Sequence, residues 1–400
     1  MRPNILLITT DTQRVDTISA MGNPHALSPN LDRLVAEGVT FDEAYTSSPV
    51  CSPARTSLLT GLHAPVHGVI ENGYGWTGDF TPFTDLLANA GYTNIMVGKT
   101  HFGPTPDSFH EQVIVKGKKS GTGDDPYSER LRAAGYEKVS THPNPIPEDL
   151  FEPAFVVDAT IDAIGRTMDK ASGPFFAWCS ILCPHGPLDP PGRWAGAYDG
   201  VPLPKLRYRP GEVASHPRHL KELLGLTDGR PQAPAFDEND EPRFDVIDPI
   251  RRLYYGLSAY CDDQVGRLIR YLDESGLRDD TLVIFTSDHG MNDRGTAAGS
   301  VQWARRATRP ESDRRRCCSW AGSGAHGDGD PQNTEVPLVA WGAGIRKPTV
   351  TVPLQPEQVD PQSKAWGLDK YERVDVNQAD VAPLMARGWT TLDGMDGVRL

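Results

Sequence analysis

Long apolar runs are missing from this sequence of 400 residues. The longest runs, around residues 5–8 and 175–182, fall far short of the roughly 20 residues that a membrane-spanning helix needs. The first strand-like run starts at Pro3, which leaves no room before it for a signal peptide. We therefore expect a globular chain with no membrane segment that stays in the cytoplasm.

Cysteine and positive charge are also scarce. Six cysteines in a chain of this length are too few and too irregularly spaced for a disulfide scaffold, and they lack the paired CxxC spacing of zinc sites. Lys and Arg number 40 against 53 Asp and Glu, which gives a formal net charge of −13. An acidic chain without a broad basic face is a poor partner for nucleic acid, so a small-molecule substrate is expected.

Apolar runs rich in β-branched residues alternate with helical patterns along the chain. We expect helices over residues 28–37, 82–90, 154–170 and 249–274, and strands over residues 4–10, 93–98, 175–183 and 282–286. In the first helix, Ser28 is a candidate N-cap, Pro29 fits the first turn and Gly38 can end the helix. Repeated helix–strand units predict an α/β fold with a central, mostly parallel sheet flanked by helices.

Reactive side chains follow four of the predicted strands. They are Asp11, then Lys99 with His101, then His185, and finally Asp288 with His289. Ligands of open parallel sheets bind beyond the carboxyl ends of the strands, so four such sets together predict one active site. Two carboxylates and an imidazole suit a divalent cation, although each residue alone could be a turn former or a helix cap.

The most specific string is CSPARTSLLTG, residues 51–61. Pro53 opens a predicted helix, so Cys51 would lie at its positive end, where a nucleophile or an anionic substrate is stabilised; a buried structural thiol is the alternative. This string carries a C-x-P-x-R signature. Together with RPNILLITTD, SPNLDRLVAEGVTF, GYTNIMVGKTHFG, PFFAWCSILCPHGPLDPP and LRDDTLVIFTSDHG, it resembles the formylglycine-dependent sulfatases of the alkaline phosphatase superfamily over residues 1–290.

The resemblance implies a sulfuric ester hydrolase with an alkaline-phosphatase-like sandwich fold. A formylglycine-generating enzyme would oxidise Cys51 to an aldehyde, whose hydrate would attack the sulfur of a small-molecule sulfate ester while Arg55 holds it. Lys99 and His101 would clamp the sulfate, and His185 would protonate the leaving alcohol.

The same resemblance implies one divalent metal. Its ligands would be Asp11, residue 51, Asp288 and His289, with Gln13 as a neutral candidate, and the donor set favours Ca²⁺ or Mn²⁺ ahead of Mg²⁺ and Zn²⁺. Asn72, just past the signature helix, is a candidate for substrate binding, with a simple turn as the alternative.

Two departures from the family pattern concern the metal. Thr12 stands where many sulfatases have a second acid, and Asp288-His289 stands where many have Asp-Asn. The second pairing resembles choline-sulfatase-like enzymes and phosphonate monoester hydrolases. Phosphonate monoester or phosphodiester hydrolysis is therefore the alternative activity, since the same nucleophile and cations suit either tetrahedral anion.

The remainder of the chain, residues 291–400, has a different character. An Arg-rich stretch at 295–324 fits neither helix nor strand, and we expect a disordered insert over 291–324. The strings AHGDGDPQNTEVPLVAWGAGI and RVDVNQADVAPLMA resemble the GPI ethanolamine phosphate transferases, in which His326 would match a zinc ligand. The hypothesis is a hybrid joined near residue 290, forming one catalytic domain with an incomplete carboxyl-terminal subdomain; a transferase-like protein or an inactive hybrid are the alternatives.

Other residues receive simpler interpretations. We expect a strand within EVPLVAWGAGI, a helix over VNQADVAPLMA, and a lid or surface loop over residues 184–245 that would carry substrate specificity. Cys179, Cys183 and Cys261 are expected to pack in the core. Asp262 and Asp263 are expected on a solvated helix face.

Overall fold

The computed structural model describes residues 2–41, 44–117, 124–139, 141, 143–170, 173–206, 241–291, 334–343 and 345, with the backbone of Val376–Asn377. The helices are α1 (Pro29–Glu37), α2 (Cys51–Thr60), α3 (Ala64–His67), α4 (Phe83–Asn89), α5 (Pro126–Ala133), α6 (Glu152–Asp169) and α7 (Phe244–Glu274). The strands are β1 (Asn4–Asp11), β2 (Val39–Thr40), β3 (Ala44–Tyr45), β4 (Thr93–Gly98), β5 (Glu111–Ile114), β6 (Phe175–Pro184), β7 (Thr281–Ser287), β8 (Leu338–Gly342) and β9 (Val376–Asn377). Short 3₁₀ turns lie at Val15–Thr17, Ser19–Met21, Glu148–Leu150, Gly192–Gly196 and Arg278–Asp280.

Seven strands form one sheet in the order β2-β8-β7-β1-β6-β4-β5. The five strands from β7 to β5 are parallel, whereas β8 runs antiparallel to both β7 and β2. The register aligns Ile284, Leu7, Trp178 and Met96 in one row across the sheet. β3 and β9 form a separate two-stranded sheet. The mostly parallel α/β sheet predicted from the sequence is confirmed.

Helices cover both faces of the sheet, because its inner strands are apolar on both sides. Every residue of β1 is buried. Leu6 and Ile8 join the core beneath α1, α6 and α7, while Ile5 and Leu7 join a second core that includes side chains of α2 and α4. Successive residues of a strand point to opposite faces, so a continuous apolar run is what a sheet covered on both sides requires.

The N-terminus of α1 is held differently from the prediction. The Ser28 side chain makes no capping bond within the helix; its hydroxyl accepts from Ser19 N at 2.7 Å. The carboxylate of Asp262 in α7 instead accepts from the backbone N–H groups of Asn30 at 3.2 Å and Leu31 at 2.8 Å. The predicted solvated position of Asp262 is therefore wrong, because this residue is 2% exposed and satisfies the donors that begin α1.

The other element boundaries agree with the patterns to within a few residues. The largest shift is in α7, which begins at Phe244 rather than at Pro249, so this proline lies inside the helix. Because α7 begins at Phe244, the segment predicted over 184–245 ends two residues early. Strand β8 lies within the string predicted to contain it. The predicted helix over VNQADVAPLMA is wrong at its first two residues, which form β9. The remainder of that string lies outside the described residues. So do residues 207–240, the 295–324 stretch and His326.

Candidate active site

The predicted site residues converge because the strands that carry them are neighbours. β7, β1, β6 and β4 lie side by side and parallel, and their carboxyl ends share one edge of the sheet. The side chains that follow them are, in lateral order, Asp288 and His289, then Asp11, then His185, then Lys99 and His101. Strand order, which the sequence does not reveal, brings these residues together.

Four of the predicted metal ligands form a buried cluster. One ligand atom from each of Asp11, Cys51, Asp288 and His289 lies within 4.8 Å of the other three. The Sγ of Cys51 lies 3.2 Å from Nε2 of His289 and 3.9 Å from Oδ1 of Asp11. His289 Nδ1 lies 2.8 Å from the carbonyl oxygen of Gly290, which must accept a hydrogen from it, so Nε2 is the ligand atom presented to the cluster.

Gln13 lies two residues after Asp11 in the chain, and its side-chain oxygen is a candidate fifth ligand. Its backbone N–H donates to the Ser287 hydroxyl at 2.8 Å, and its side-chain amide nitrogen donates to Thr17 at 3.0 Å. The amide oxygen, Oε1, is buried and accepts no hydrogen bond from the described part of the chain. A buried acceptor without a donor is costly, and a cation would satisfy it. The donor set as a whole therefore fits a hard divalent metal.

Helix α2 presents Cys51 in its first turn, and Asn72 caps it. The Val50 position provides no side-chain capping bond. The side-chain oxygen of Asn72 instead accepts from the backbone N–H of Ser52 at 3.0 Å. Through this contact Asn72, which lies beyond the helix, satisfies one of the unpaired backbone donors of the first turn of α2. Asn72 also lines the cavity above Cys51, and its role in substrate binding stays a prediction.

Arg55 extends from α2 beneath the ligand carboxylates and is completely buried. Its Nε donates to Asp288 Oδ2 at 2.8 Å, and one terminal nitrogen donates to Ser180 Oγ at 2.7 Å and to the Lys99 carbonyl at 3.0 Å. The other terminal nitrogen lies 3.9 Å from Asp11 Oδ2. Arg55 thus fixes the two carboxylates, and its hydrogen bonds among described residues do not include one to Cys51.

Opposite charges dominate the electrostatics of the cluster. Burial alone would raise the pKa of the Cys51 thiol, but Lys99 and His289, with smaller contributions from His101 and His185, hold that pKa well below its usual range. Burial would likewise raise the pKa of Asp11, yet Lys99 and its other cationic neighbours outweigh burial and lower it. Lys99 forms an ion pair with Asp11, and its own pKa is raised despite the desolvation that burial imposes. The site is therefore built to stabilise anions.

The loop after β1 has a strained backbone. Thr12 has φ 63°, which is unusual for a β-branched residue. Its N–H donates to Asp288 Oδ1 at 3.1 Å and its carbonyl accepts from the Tyr254 hydroxyl at 2.7 Å. The same hydroxyl accepts from Arg14 N at 2.9 Å. These bonds hold the segment between Asp11 and Gln13 in a conformation that a threonine would not adopt unaided.

A cavity of about 590 Å³ opens above Cys51. It is lined by Asp11, Cys51 and Ser52, by residues 72–75, by Lys99, Thr100, His101 and Gly103, by residues 114–117, and by Leu182, His185 and Gly186. His101 is exposed and has φ 60°. His185 Nδ1 lies 2.7 Å from the Gly186 carbonyl, so it must donate there, and Nε2 is the ring nitrogen that remains for a substrate. The cavity is large enough for a small ester.

Sequence reasoning missed three residues that shape this site. Ser180, in the middle of β6, bonds both Arg55 and the Lys99 carbonyl. Tyr254 bridges Thr12 and Arg14 from α7. Lys116, just after β5, lines the cavity. Ser180 could have been noticed as a lone serine within the apolar run FFAWCSILCP. Tyr254 and Lys116 belong to no motif.

A mostly parallel sheet that gathers carboxylates, a helix-borne cysteine and cations at one edge is the architecture of the alkaline phosphatase superfamily. The chain belongs to the sulfatase family, since the Sulfatase family model matches residues 3–385. It is 29% identical over 330 residues to an arylsulfatase of Clostridium perfringens, covering 72% of this chain and 63% of that protein.

Other relatives agree with this assignment. Human iduronate 2-sulfatase is 28% identical, with 72% of this chain and 54% of the relative covered. The crystal structure of a phosphonate monoester hydrolase of Agrobacterium radiobacter shares the fold, with a TM-score of 0.63 and 24% identity over 97% of this chain and 74% of that one. This chain spans about half to two thirds of the length of the curated relatives it matches.

The family match also bears on the predicted hybrid. One sulfatase model extends across residue 290 as far as residue 385, so the comparisons do not show a join to a transferase. The division of the chain into a core, an insert and a transferase-like end stays a prediction. No helix in the described ranges is both long and apolar enough to span a bilayer.

Proposed function

We propose that this protein hydrolyses sulfuric esters, using a formylglycine made from Cys51 and one divalent metal. The observation that carries the proposal is the position of Cys51. Its sulfur lies in the first turn of α2, within 4.8 Å of two carboxylates and an imidazole, at the floor of a cavity with Lys99 and two histidines on its walls. A sulfate ester is ringed by negative charge, so cations are needed before a nucleophile can approach its sulfur.

The metal would be held by Asp11, Asp288, His289, the side chain of residue 51 and Gln13 Oε1. When bound, it would lower the pKa of the nucleophilic hydroxyl of the hydrated formylglycine and neutralise sulfate oxygens. Carboxylate and amide oxygens favour Ca²⁺ or Mn²⁺ over Zn²⁺, and the imidazole tilts the preference slightly towards Mn²⁺.

The remaining side chains would orient the ester and manage its proton. Arg55 holds Asp288 and Asp11 in position through its 2.8 Å bond and 3.9 Å contact. Lys99 and His101 bind sulfate oxygens on the side of the cavity nearest β4. Since Nδ1 of His185 donates to the Gly186 carbonyl, Nε2 is the ring atom that would pass a proton to the departing alkoxide.

Maturation requires a partner. We propose that a formylglycine-generating enzyme converts the Cys51 thiol within the string CSPAR. Because Cys51 is only 1% exposed in the folded chain, we expect the conversion to precede folding. Mass spectrometry of a peptide containing residue 51 tests this step, since replacing the thiol by an aldehyde lowers the mass by about 18 Da.

The activity is tested by offering matched aryl sulfate, phosphate monoester, phosphodiester and phosphonate substrates to the chain co-expressed with a formylglycine-generating enzyme. We expect metal-dependent turnover of the sulfate ester, absent from a Cys51→Ala variant. Silence on every substrate despite a confirmed aldehyde would refute the proposal.

Phosphonate monoester or phosphodiester hydrolysis is the second candidate. It is favoured by the Asp288-His289 pairing, which resembles that of phosphonate monoester hydrolases, and by Thr12, which stands where many sulfatases have a second acid. Preference for the phosphorus diesters in the same panel would select this activity.

A further inference from the structure

Lys116 brings to the cavity above Cys51 an ammonium group to which the proposed mechanism gives no role. The residue is exposed and lines the cavity above Cys51. Among described residues, its side chain makes no ion pair or hydrogen bond; only its backbone is engaged. Asp11, which already pairs with Lys99, is the one acid among the described residues lining the cavity. Lys116 therefore adds a cation that none of the described residues on these walls neutralises.

The backbone of Lys116 is fixed by a buried ion pair. Its N–H donates to Asp125 Oδ2 at 2.8 Å, and the same oxygen lies 2.7 Å from the ammonium of Lys138. Asp125 is 5% exposed and also caps α5 through Ser128 N at 2.8 Å. Burying an ion pair gains little stability, so its clear effect here is positional. It holds the segment after β5 against the rest of the fold.

The sheet register brings Lys116 close to the proposed sulfate position. Gly98 of β4 pairs with Ile114 of β5, and Val115 N donates to the Gly98 carbonyl at 3.0 Å. Lys116 thus follows β5 as the Lys99 segment follows β4, one strand spacing of about 4.8 Å to the side. Both residues line the same cavity, so their two cations can bind two anionic groups of one small molecule.

Tyr74 adds a flat apolar surface to the same cavity. Its side chain is 57% exposed. The neighbouring Gly75 approaches Gly103 so closely that a Cβ on Gly75 would lie 2.7 Å from the Gly103 Cα. Trp76 N donates to the Phe102 carbonyl at 2.7 Å, which ties the two loops together. A ring on a fixed loop can pack against a ring of the substrate.

We propose that Lys116 binds a second anionic group, a carboxylate or a second sulfate, on the alcohol part of the ester, with Tyr74 packing against a ring of that alcohol. The inference rests on the proposed sulfatase function and narrows its substrate class to ring-bearing esters with two negative charges. Lys99 and His101 take the scissile sulfate, and Lys116 takes the group that remains on the released alcohol.

The first test compares the sulfate esters of para-hydroxybenzoate and para-hydroxybenzamide, which differ mainly in charge. We expect Lys116→Gln to lower kcat/KM for the carboxylate ester, relative to kcat/KM for the amide ester, by about fivefold. An exposed ion pair contributes a binding free energy of this size. Lys116→Arg should preserve the ratio, and added salt should reduce it in the parent protein only. An unchanged ratio in Lys116→Gln would overturn the inference.

A second test measures binding without chemistry. Phenylmethanesulfonates that carry a para-carboxylate, a para-sulfonate or a para-carboxamide offer the same contacts and contain no ester bond to hydrolyse. Calorimetry should show that Lys116→Gln weakens the two dianions about fivefold relative to the carboxamide. If this discrimination is present while no ester is turned over, the inference stands and the sulfatase proposal fails. If esters are turned over but neither comparison depends on Lys116, the inference fails alone.

Discussion

Two buried aspartates, one in the candidate site and one in the scaffold, have opposite pKa shifts. Asp11 is 0% exposed and its pKa is lowered, because Lys99, His185 and Arg55 outweigh the burial that would raise it. Asp262 is 2% exposed and burial raises its pKa to about 6, since its partners are the neutral N–H groups at the start of α1. The charge of the neighbours, rather than depth in the protein, separates a reactive region from a structural one.

The cysteines repeat this contrast. Cys51 and Cys179 are both buried, yet the pKa of Cys51 is held well below its usual range, whereas burial raises the pKa of Cys179 to about 12. Cys179 lies inside β6 among apolar side chains. The two thiols differ in the cations around them and therefore in the chemistry open to them.

Replacing these two cysteines in parallel should give the largest difference. We expect Cys51→Ala to reduce sulfate ester hydrolysis on the order of 10⁴-fold or more, as for other catalytic nucleophiles. Cys179→Ala should retain the activity and lose about 1 kcal/mol of stability through the small cavity it leaves. Steady-state rates and thermal denaturation of both proteins make the comparison. Equal losses of activity would remove the distinction between the two regions.

Metal affinity should separate Asp11 from Asp262 in the same way. We expect Asp11→Asn to weaken Ca²⁺ or Mn²⁺ binding about 100-fold or more, because a charged ligand is lost. Asp262→Asn should leave metal affinity unchanged, since this carboxylate bonds only α1. Isothermal titration of the chelator-treated proteins reports affinity independently of turnover. Tight metal binding by Asp11→Asn would show that the cluster is not the metal site.

The pH dependence of stability should identify the scaffold aspartate. A pKa raised to about 6 in the folded state, above the usual 3.8, means that the folded protein holds the proton more tightly. The contribution of Asp262 is therefore fully present at low pH and is lost as pH rises from about 4 to 6, by about 2 kcal/mol. Denaturant unfolding of the parent protein and Asp262→Asn across this range measures it. A gain of parent stability with rising pH, relative to the variant, would contradict the assignment.

The smallest effect should come from Ser180. Ser180→Ala removes the 2.7 Å bond to Arg55 while the bond from Arg55 to the Lys99 carbonyl remains. We expect about a fivefold loss in kcat/KM, equivalent to about 1 kcal/mol. The matched control is Ser258→Ala. This serine is buried, and among the described residues its hydroxyl bonds only the Tyr254 carbonyl in its own helix. A rate loss of the same size in the control would mean that Ser180 acts through stability alone.

The sequence was informative where chemistry is local and uninformative where it depends on strand order. Residues after strands, such as Asp11 and Asp288, could be predicted because parallel strands end at a common edge. The cap of α1 was mispredicted, since Ser28 has the right residue type but Asp262, far along the chain, supplies the acceptor. Lys116 was missed because its relation to Lys99 exists only through the pairing of β4 with β5.

The edges of the sheet bear on how the protein behaves at high concentration. The outermost strands of the described sheet are β2, with 2 residues, and β5, with 4 residues, while the longer β1, β6 and β7 lie inside. Exposed backbone on a long edge strand invites pairing with another chain, and short edges flanked by charge discourage it. Lys116, two residues after β5, places a positive charge beside one of these short edges. Its replacement by an apolar residue should increase aggregation, which light scattering would detect.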